Sequence, residues 1–116
     1  MSIERYQRTA IFHRAVVHGG FVFLSGIVAQ DGTADMTTQT EQVLDRLETY
    51  LREAGSSIGH VVSATIFLTD MADKATMNEV WKRRFAPHEL PARATVGVSD
   101  LDGPYRLEVS AIAAAS

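Results

Sequence analysis

The chain has 116 residues, 46% of them hydrophobic and 22% charged, and its 11 Lys and Arg against 14 Asp and Glu give a net charge of −3. This length and composition predict one soluble globular domain over residues 1–116, located in the cytoplasm. The acidic balance argues against the basic surface that nucleic-acid binding requires. The lack of cysteine excludes a thiolate nucleophile and a disulfide framework. No apolar stretch approaches the roughly 20 residues of a membrane-spanning helix, so no membrane partner is predicted.

Hydrophobic periodicity divides the chain into strands and two helices. Apolar residues recur every three or four positions in two segments, as they do on amphipathic helices. Other segments alternate or are rich in β-branched residues, as strands are. Gly55 is a natural C-terminal stop for the first helix, and Gly19 with Gly20 marks a hairpin turn. The predicted elements are, in chain order, a short strand at about 3–6, hairpin strands at 15–17 and 21–25, a helix over 37–54, a central strand over 60–70, a helix over 73–85, and strands at 92–98 and 105–113.

This order predicts an α+β fold in which two helices pack on one face of a mixed β-sheet. The opposite face then lacks a cover, and we expect it to be too apolar to face water. A symmetric oligomer that packs sheets against each other would bury this face. The side chains predicted on it are Val61, Thr65, Phe67, Thr95 and Val109.

Motifs for metal, nucleophile and phosphate chemistry are weak. The four histidines are scattered without HxH or HExxH spacing, so no metal site is predicted. Ser25 precedes a glycine but has no GxSxG context, and the hairpin glycines lack the lysine of a phosphate-binding loop. The basic run at 81–84 lies in the last turns of a helix, where cations complement the helix dipole, and a solvated face is favoured over a phosphate site.

Each of the last two predicted strands carries a charge among apolar neighbours. Arg93 lies near the start of the first, and Glu108 lies within the second. One interpretation is a structural salt bridge, or an edge charge that discourages aggregation. The other is that Arg93 binds a carboxylate through two parallel hydrogen bonds, with Glu108 nearby as a proton acceptor or water-orienting group. The residue pattern leaves both interpretations open.

Several short motifs occur together in one order. They are Q-T followed by L-x-x-A-G, T-x-F-L-T-D-M, M-N and P-A-R. With them, the chain from about residue 15 to 113 resembles the reactive intermediate deaminase family, the RidA-like proteins also called the YjgF or L-PSP family. The resemblance implies a chorismate-mutase-like domain, three copies of which form a homotrimer around a barrel of sheets with a site in each cleft between subunits.

The same resemblance implies an activity and a set of site residues. The activity is hydrolysis of enamines and imines, of the 2-aminoacrylate-derived, 2-iminopropanoate and 2-iminobutanoate type, to 2-keto acids and ammonia, without a cofactor. By resemblance, Arg93 holds the substrate carboxylate and Glu108 positions or activates the attacking water. The other residues that the resemblance places in the cleft are Phe12, Ser25, Asn78 and Thr95.

Among the departures from the usual pattern of the family, two remove a polar side chain. Phe12 stands where relatives commonly have tyrosine, so a phenolic hydroxyl is missing, and Ser110 stands where relatives often have a second glutamate. The departures predict an active but divergent member with a shifted substrate preference. Phe12, as an apolar wall, predicts a preference for imines that carry apolar side chains.

Two other functions stay open at this point. The first is a non-enzymatic module that binds small carboxylates such as keto acids, with a regulatory or chaperone role. The second is the endoribonuclease activity attached to the L-PSP name. The acidic net charge and the lack of an RNA-stacking patch count against the second.

Overall fold

A computed structural model of the chain, which describes residues 2–115, contains one six-stranded sheet with two helices against one face. The elements are, in chain order, β1 (Glu4–Arg8), β2 (His13–His18), β3 (Phe21–Leu24), α1 (Met36–Glu53), β4 (Val61–Leu68), α2 (Lys74–Arg84), β5 (Ala92–Gly97) and β6 (Leu107–Ala114). The strands lie in the order β1-β2-β3-β6-β4-β5, with β4 and β5 parallel and the other neighbours antiparallel. The predicted α+β class, with a mixed sheet and helices on one face, is confirmed.

The hairpin and the first helix form for local reasons. Gly19 and Gly20 have φ of 62° and 83°, and positive values at both positions are what a two-residue type I′ turn between β2 and β3 requires. The Asp35 carboxylate accepts a hydrogen bond from the Thr38 backbone N–H at 2.8 Å, which caps the start of α1. The helix ends just before Gly55, whose φ of 83° is readily adopted by glycine. Both predicted glycine signals are confirmed.

The core lies between the helices and the sheet face that they cover. Alternate residues of the strands and one side of each helix point into it, and burying one large aliphatic side chain stabilises the fold by roughly 1.5–3 kcal/mol. No helix within residues 2–115 is long and apolar enough to cross a membrane. The fully buried core side chains include Val43, Leu44, Leu47, Leu51, Ile66, Leu68, Met77, Val80, Leu107 and Val109.

Arg84 joins the two helices. Its side chain is 19% exposed, and its guanidinium lies 3.0 Å from Glu41 Oε2, 2.9 Å from Asp45 Oδ1 and 3.4 Å from Glu48 Oε2, all on α1. Burial opposes the charged form, but the three carboxylates outweigh it and raise the pKa of Arg84. The solvated face predicted for the end of α2 therefore does not include Arg84.

The second face of the sheet carries neither helix, as predicted. Phe21, Phe23 and Val96 lie on it with 44%, 43% and 42% of their surface exposed. Thr65 and Phe67 also lie on this open face, as expected from the sequence, and both are half-buried. The isolated chain thus exposes a group of aromatic and aliphatic side chains of the kind that marks an interaction surface.

Three of the five side chains predicted on the open face lie on the other one. Val61 and Val109 are buried beneath the helices, at 4% and 1% exposure. Thr95 pairs in register with the fully buried Ile66, so it also faces the helices. A β-bulge after Val61 shifts the alternation in β4. In β5 and β6, alternation separates two sets of residues but does not indicate which set the helices cover.

Candidate functional site

Arg93 lies over an aromatic ring rather than beside a carboxylate. Its Cζ is 5.2 Å from the centre of the Trp81 ring on α2, and its Nη1 lies 4.0 Å from Met77 Sδ. No carboxylate of residues 2–115 lies within 4.0 Å of this guanidinium. Burial lowers the pKa of Arg93, yet an arginine stays protonated in a protein. The indole stabilises the cation through its face and leaves the hydrogen-bonding edge of the guanidinium without a competing anion.

A cavity of about 330 Å³ opens beside Arg93, and we call it the β5 cavity. Asn78, which precedes Trp81 by one helical turn on α2, also lines it. The Asn78 Oδ1 atom is buried without a hydrogen-bond partner. Leaving a buried polar atom unpaired costs about 1–3 kcal/mol, so this oxygen is available to a hydrogen-bond donor from outside the chain. Thr95 lies on β5 two residues after Arg93 and on the same face of the sheet as Arg93. It is half-buried and does not line this cavity.

Glu108 lies on β6 in a second cavity of about 390 Å³, which we call the β6 cavity. Phe12 and Tyr105 line the same cavity. The Glu108 carboxylate passes so close to Gly26 that a Cβ atom on this glycine would lie 2.6 Å from Oε2. Only glycine leaves room for the carboxylate in this position. The sequence analysis missed Gly26, because its role depends on a contact with a strand 82 residues away.

Ser25 directly precedes Gly26 at the end of β3. Its backbone N–H donates to the Arg14 carbonyl at 2.9 Å. Its Oγ is buried and, like Asn78 Oδ1, has no hydrogen-bond partner. These two atoms are the only buried side-chain polar atoms in the described part of the chain that lack one. Both belong to residues predicted at the site, and each is free to bind a ligand or a second chain.

Two arginines that the sequence analysis did not predict also line the β6 cavity. Arg14 Cζ lies 5.4 Å from the Tyr50 ring centre and 6.0 Å from that of Phe12. Arg46 Nη1 donates to a backbone carbonyl of the segment after β3 at 3.1 Å. The sequence gave no signal for either arginine because strand and helix periodicity do not show which polar side chains share a cavity. Arg14 and Arg46 thus place two cations around the cavity that holds the Glu108 carboxylate.

Arg93 and Glu108 do not meet within one chain. Arg93 pairs with Ala64 of β4, which pairs with Ala111 of β6, so Glu108 lies two strands away and three residues along. At about 4.8 Å between strands and about 3.3 Å per residue, the two backbone positions are about 14 Å apart. The two side chains also point to opposite faces of the sheet. A salt bridge between them within the chain, one of the two interpretations of the sequence, is therefore wrong.

Five of the six residues predicted at the site thus form two groups, and Ser25 lines neither cavity. Arg93, Asn78 and Thr95 lie on the helix side near the edge strand β5. Phe12 and Glu108 line the β6 cavity. One small substrate cannot contact Arg93 and Glu108 of the same chain.

Comparisons with known proteins agree with the fold and with the motifs. The family model described as Endoribonuclease L-PSP matches residues 2–115. An Escherichia coli K12 protein provisionally named reactive intermediate deaminase TdcF is 37% identical over 105 residues, which are 84% of this chain and 81% of that protein.

Two solved structures are similar over nearly the whole chain. A member of the YjgF protein family from Neisseria meningitidis has a TM-score of 0.94 and 36% identity, covering 100% of this chain and 97% of that one. A Thermotoga maritima protein provisionally titled an endoribonuclease has a TM-score of 0.84 and 35% identity, covering 92% and 90%.

Proposed function

Because the chain belongs to the YjgF/RidA family, whose model is described as Endoribonuclease L-PSP, we propose that it is a deaminase of small reactive imines. It hydrolyses 2-imino acids and their enamine tautomers, of the 2-iminopropanoate and 2-iminobutanoate type, to 2-keto acids and ammonia. It needs no cofactor, and it acts in the cytoplasm. The name of the Escherichia coli relative supports this reaction class.

The single observation that carries the proposal is the state of Arg93. A half-buried guanidinium normally has a carboxylate partner, because an unpaired charge is costly to bury. Here the indole face of Trp81 supports the cation, and the edge of the Arg93 guanidinium borders a cavity. A planar carboxylate fits that edge through two parallel hydrogen bonds, which lysine would not provide. A 2-imino acid carries such a carboxylate next to its reactive carbon.

The chemistry follows from the roles of two groups. Arg93 fixes the substrate carboxylate, and Glu108 accepts a proton from a water molecule as the water oxygen bonds to the imine carbon. The imine nitrogen is protonated before the attack, so the product is a neutral carbinolamine. Glu108 returns its proton to the carbinolamine nitrogen, the C–N bond breaks, and ammonia leaves while the hydroxyl proton passes to Glu108 and the carbonyl forms. Positioning supplies several kcal/mol of barrier reduction. General acid–base assistance adds about 100- to 10,000-fold in rate. Ser25 Oγ and Asn78 Oδ1 are further hydrogen-bonding groups that the substrate or water can use.

The proposal also requires a second copy of the chain. Arg93 lies on an edge strand, and Glu108 lies on the opposite face of the sheet. An oligomer in which the edge of one subunit approaches the open face of the next brings the two groups together. Burial of Phe21, Phe23 and Val96 favours that association. We propose a homotrimer with three intersubunit sites, the closed ring that such a head-to-tail contact can form.

Competition between hydrolysis and chemical trapping tests the activity. An amino-acid oxidase generates the imine in the presence of semicarbazide, and semicarbazone is measured with and without the protein. We expect the wild-type protein to lower the semicarbazone yield. Glu108→Gln should reduce the rate about 100-fold or more, because the proton acceptor is lost. Glu79→Gln, on the exposed side of α2, is the matched control and should retain the wild-type rate. An unchanged semicarbazone yield with small, branched and aromatic imines contradicts the deaminase proposal.

A keto-acid-binding module is the second candidate, favoured by the same Arg93 edge. Such a protein would bind 2-oxobutanoate through Arg93 without changing semicarbazone formation. The third candidate is the endoribonuclease activity that the description of the Thermotoga maritima relative mentions. The net charge of −3 makes RNA a poor partner for this chain. We expect no cleavage of single-stranded RNA.

A further inference from the structure

A second apolar cavity of about 350 Å³ lies next to the β5 cavity. The two cavities share Lys82 and Leu90 in their walls. Trp81 of α2 and Phe85, the residue directly after α2, stack with ring centroids 4.4 Å apart, and Trp81 lines the first cavity and Phe85 the second. We call the combined space the α2 groove. Its apolar walls are formed by Trp81, Phe85, Pro87, Leu90 and Pro91.

Leu90 is the exposed wall of the α2 groove. Leu90 is 51% exposed. Its backbone lies between two conformationally restricted segments. A 3-10 turn at Pro87–Glu89 precedes it, and Pro91 follows directly. Proline fixes its own φ and limits the residue before it, so the backbone around Leu90 is rigid. A rigid loop that holds an exposed leucine in the same cavities as two aromatic rings provides a preformed apolar wall.

The α2 groove is distinct from the open face of the sheet, whose exposed apolar side chains we assign to self-association. It lies beside α2, on the helix side of the sheet. Phe21, Phe23 and Val96 lie on the open face. The groove is instead continuous with the cavity that holds the Arg93 guanidinium. A small apolar pocket next to one well-placed charged group is the usual composition of a small-molecule site.

We propose that the α2 groove binds the substrate side chain and selects 2-imino acids with long apolar or aromatic side chains. This inference rests on the proposed function. The carboxylate binds Arg93, and the side chain extends between Leu90 and the Trp81–Phe85 stack. The sequence pointed to an apolar preference through Phe12, which lines the other cavity. The α2 groove provides a separate apolar surface for that preference, next to Arg93.

The specificity of the enzyme tests this assignment. Imines derived from leucine and from alanine are compared through the ratio of their kcat/KM values. One additional methylene in an apolar pocket contributes about 10-fold, and the leucine-derived imine has three more side-chain carbons than the alanine-derived one, so we expect a wild-type ratio of about 10 to 1,000. Leu90→Ser should reduce the ratio about 10-fold. Ile3→Ser removes an exposed aliphatic side chain of similar exposure, 48%, ahead of β1, and should leave the ratio unchanged.

Direct binding separates this proposal from the proposed function. Calorimetry with 4-methyl-2-oxopentanoate and with pyruvate measures the same preference without catalysis. Imine hydrolysis with a ratio near one, or a ratio that Leu90→Ser does not change, overturns the α2 groove and leaves the deaminase intact. If no imine is hydrolysed, the proposed function fails. Tighter binding of the branched keto acid that depends on Leu90 then still supports the groove, and equal binding of the two acids overturns it.

Discussion

Arg93 and Glu108 lie on opposite faces of one sheet, separated by β4 and displaced by three residues along β6. Neither has an ion-pair partner within 4.0 Å in the part of the chain described. A fold that needed these charges for its own stability would bring them together. The separation instead suits two halves of a site that are completed by another copy of the chain.

Mixed oligomers of two inactive variants test this division. In a head-to-tail trimer, Arg93→Ala and Glu108→Gln remove different halves of each site. Unfolding the two variants together and refolding them should restore about a quarter of the wild-type activity, because random assembly pairs one intact Arg93 with one intact Glu108 at about that fraction of interfaces. Each variant refolded alone is the control. Activity that stays at the level of these controls contradicts a site shared between subunits.

The oligomeric state is a separate prediction. Light scattering should give three times the chain mass of 12.7 kDa. Phe23→Glu places a charge on the open face, where Phe23 is 43% exposed in the isolated chain, and should dissociate the trimer and abolish activity together. Thr49→Glu, on the exposed side of α1, should change neither property. A stable wild-type monomer at micromolar concentration rules out both the trimer and the shared site.

The sequence predicted where the helices and strands lie better than it predicted which face of the sheet each side chain is on. Periodicity located both helices and six strands because it reports local burial along each segment. It misplaced Thr95 and Val109 because a two-residue period separates two faces without showing which one the helices cover.

The site was predictable only in part. Arg93 and Glu108 stood out as charges among apolar residues, but their grouping into one site came from the resemblance. The contact of Gly26 with Glu108 and that of Trp81 with Arg93 join residues far apart in sequence. No local pattern encodes such contacts, and an isolated glycine or a helical tryptophan is more often structural.

Replacement of Arg93 by lysine separates anion binding from stability. Arg93→Lys keeps the positive charge but loses the planar pair of donors. One charge-assisted hydrogen bond contributes about 1.5–3 kcal/mol, so kcat/KM should fall about 10- to 100-fold. The melting temperature should change little, because no buried carboxylate of the same chain loses a partner. Arg93→Ala is the further check: a large fall in melting temperature, with keto-acid binding retained, would show that Arg93 is a structural ion.

Trp81 should act on the ligand through Arg93. Trp81→Leu removes the ring face under the guanidinium, and a partly desolvated cation–π contact of about 1–2 kcal/mol predicts 5- to 30-fold weaker binding of 2-oxobutanoate. Trp81→Phe keeps a weaker ring face and should recover part of this affinity. Val80→Ala is the control, because it also removes buried volume from α2 but has no ring over Arg93. Equal affinities for all three variants, measured by calorimetry well below their melting temperatures, would leave Trp81 with a packing role only.

Gly26 offers the sharpest test of the position of Glu108. In Gly26→Ala the new Cβ would lie 2.6 Å from Glu108 Oε2 and 2.7 Å from its Cδ, closer than such atoms approach in proteins. The half-buried carboxylate must then rotate away, so kcat should fall about 100-fold, as in Glu108→Gln, with a small change in stability.

Gly20→Ala provides the opposite pattern and completes the test. A Cβ atom on Gly20 would have no atom of a non-neighbouring residue within 4 Å, but the φ of 83° means that alanine there meets backbone strain without a steric contact. Stability should fall by about 1–2 kcal/mol, and kcat should stay at the wild-type value. Measuring kcat and the melting temperature of both variants separates the two effects. A Gly26→Ala protein with full kcat, alongside an inactive Glu108→Gln protein, would mean that the carboxylate acts from a different position than the one beside Gly26.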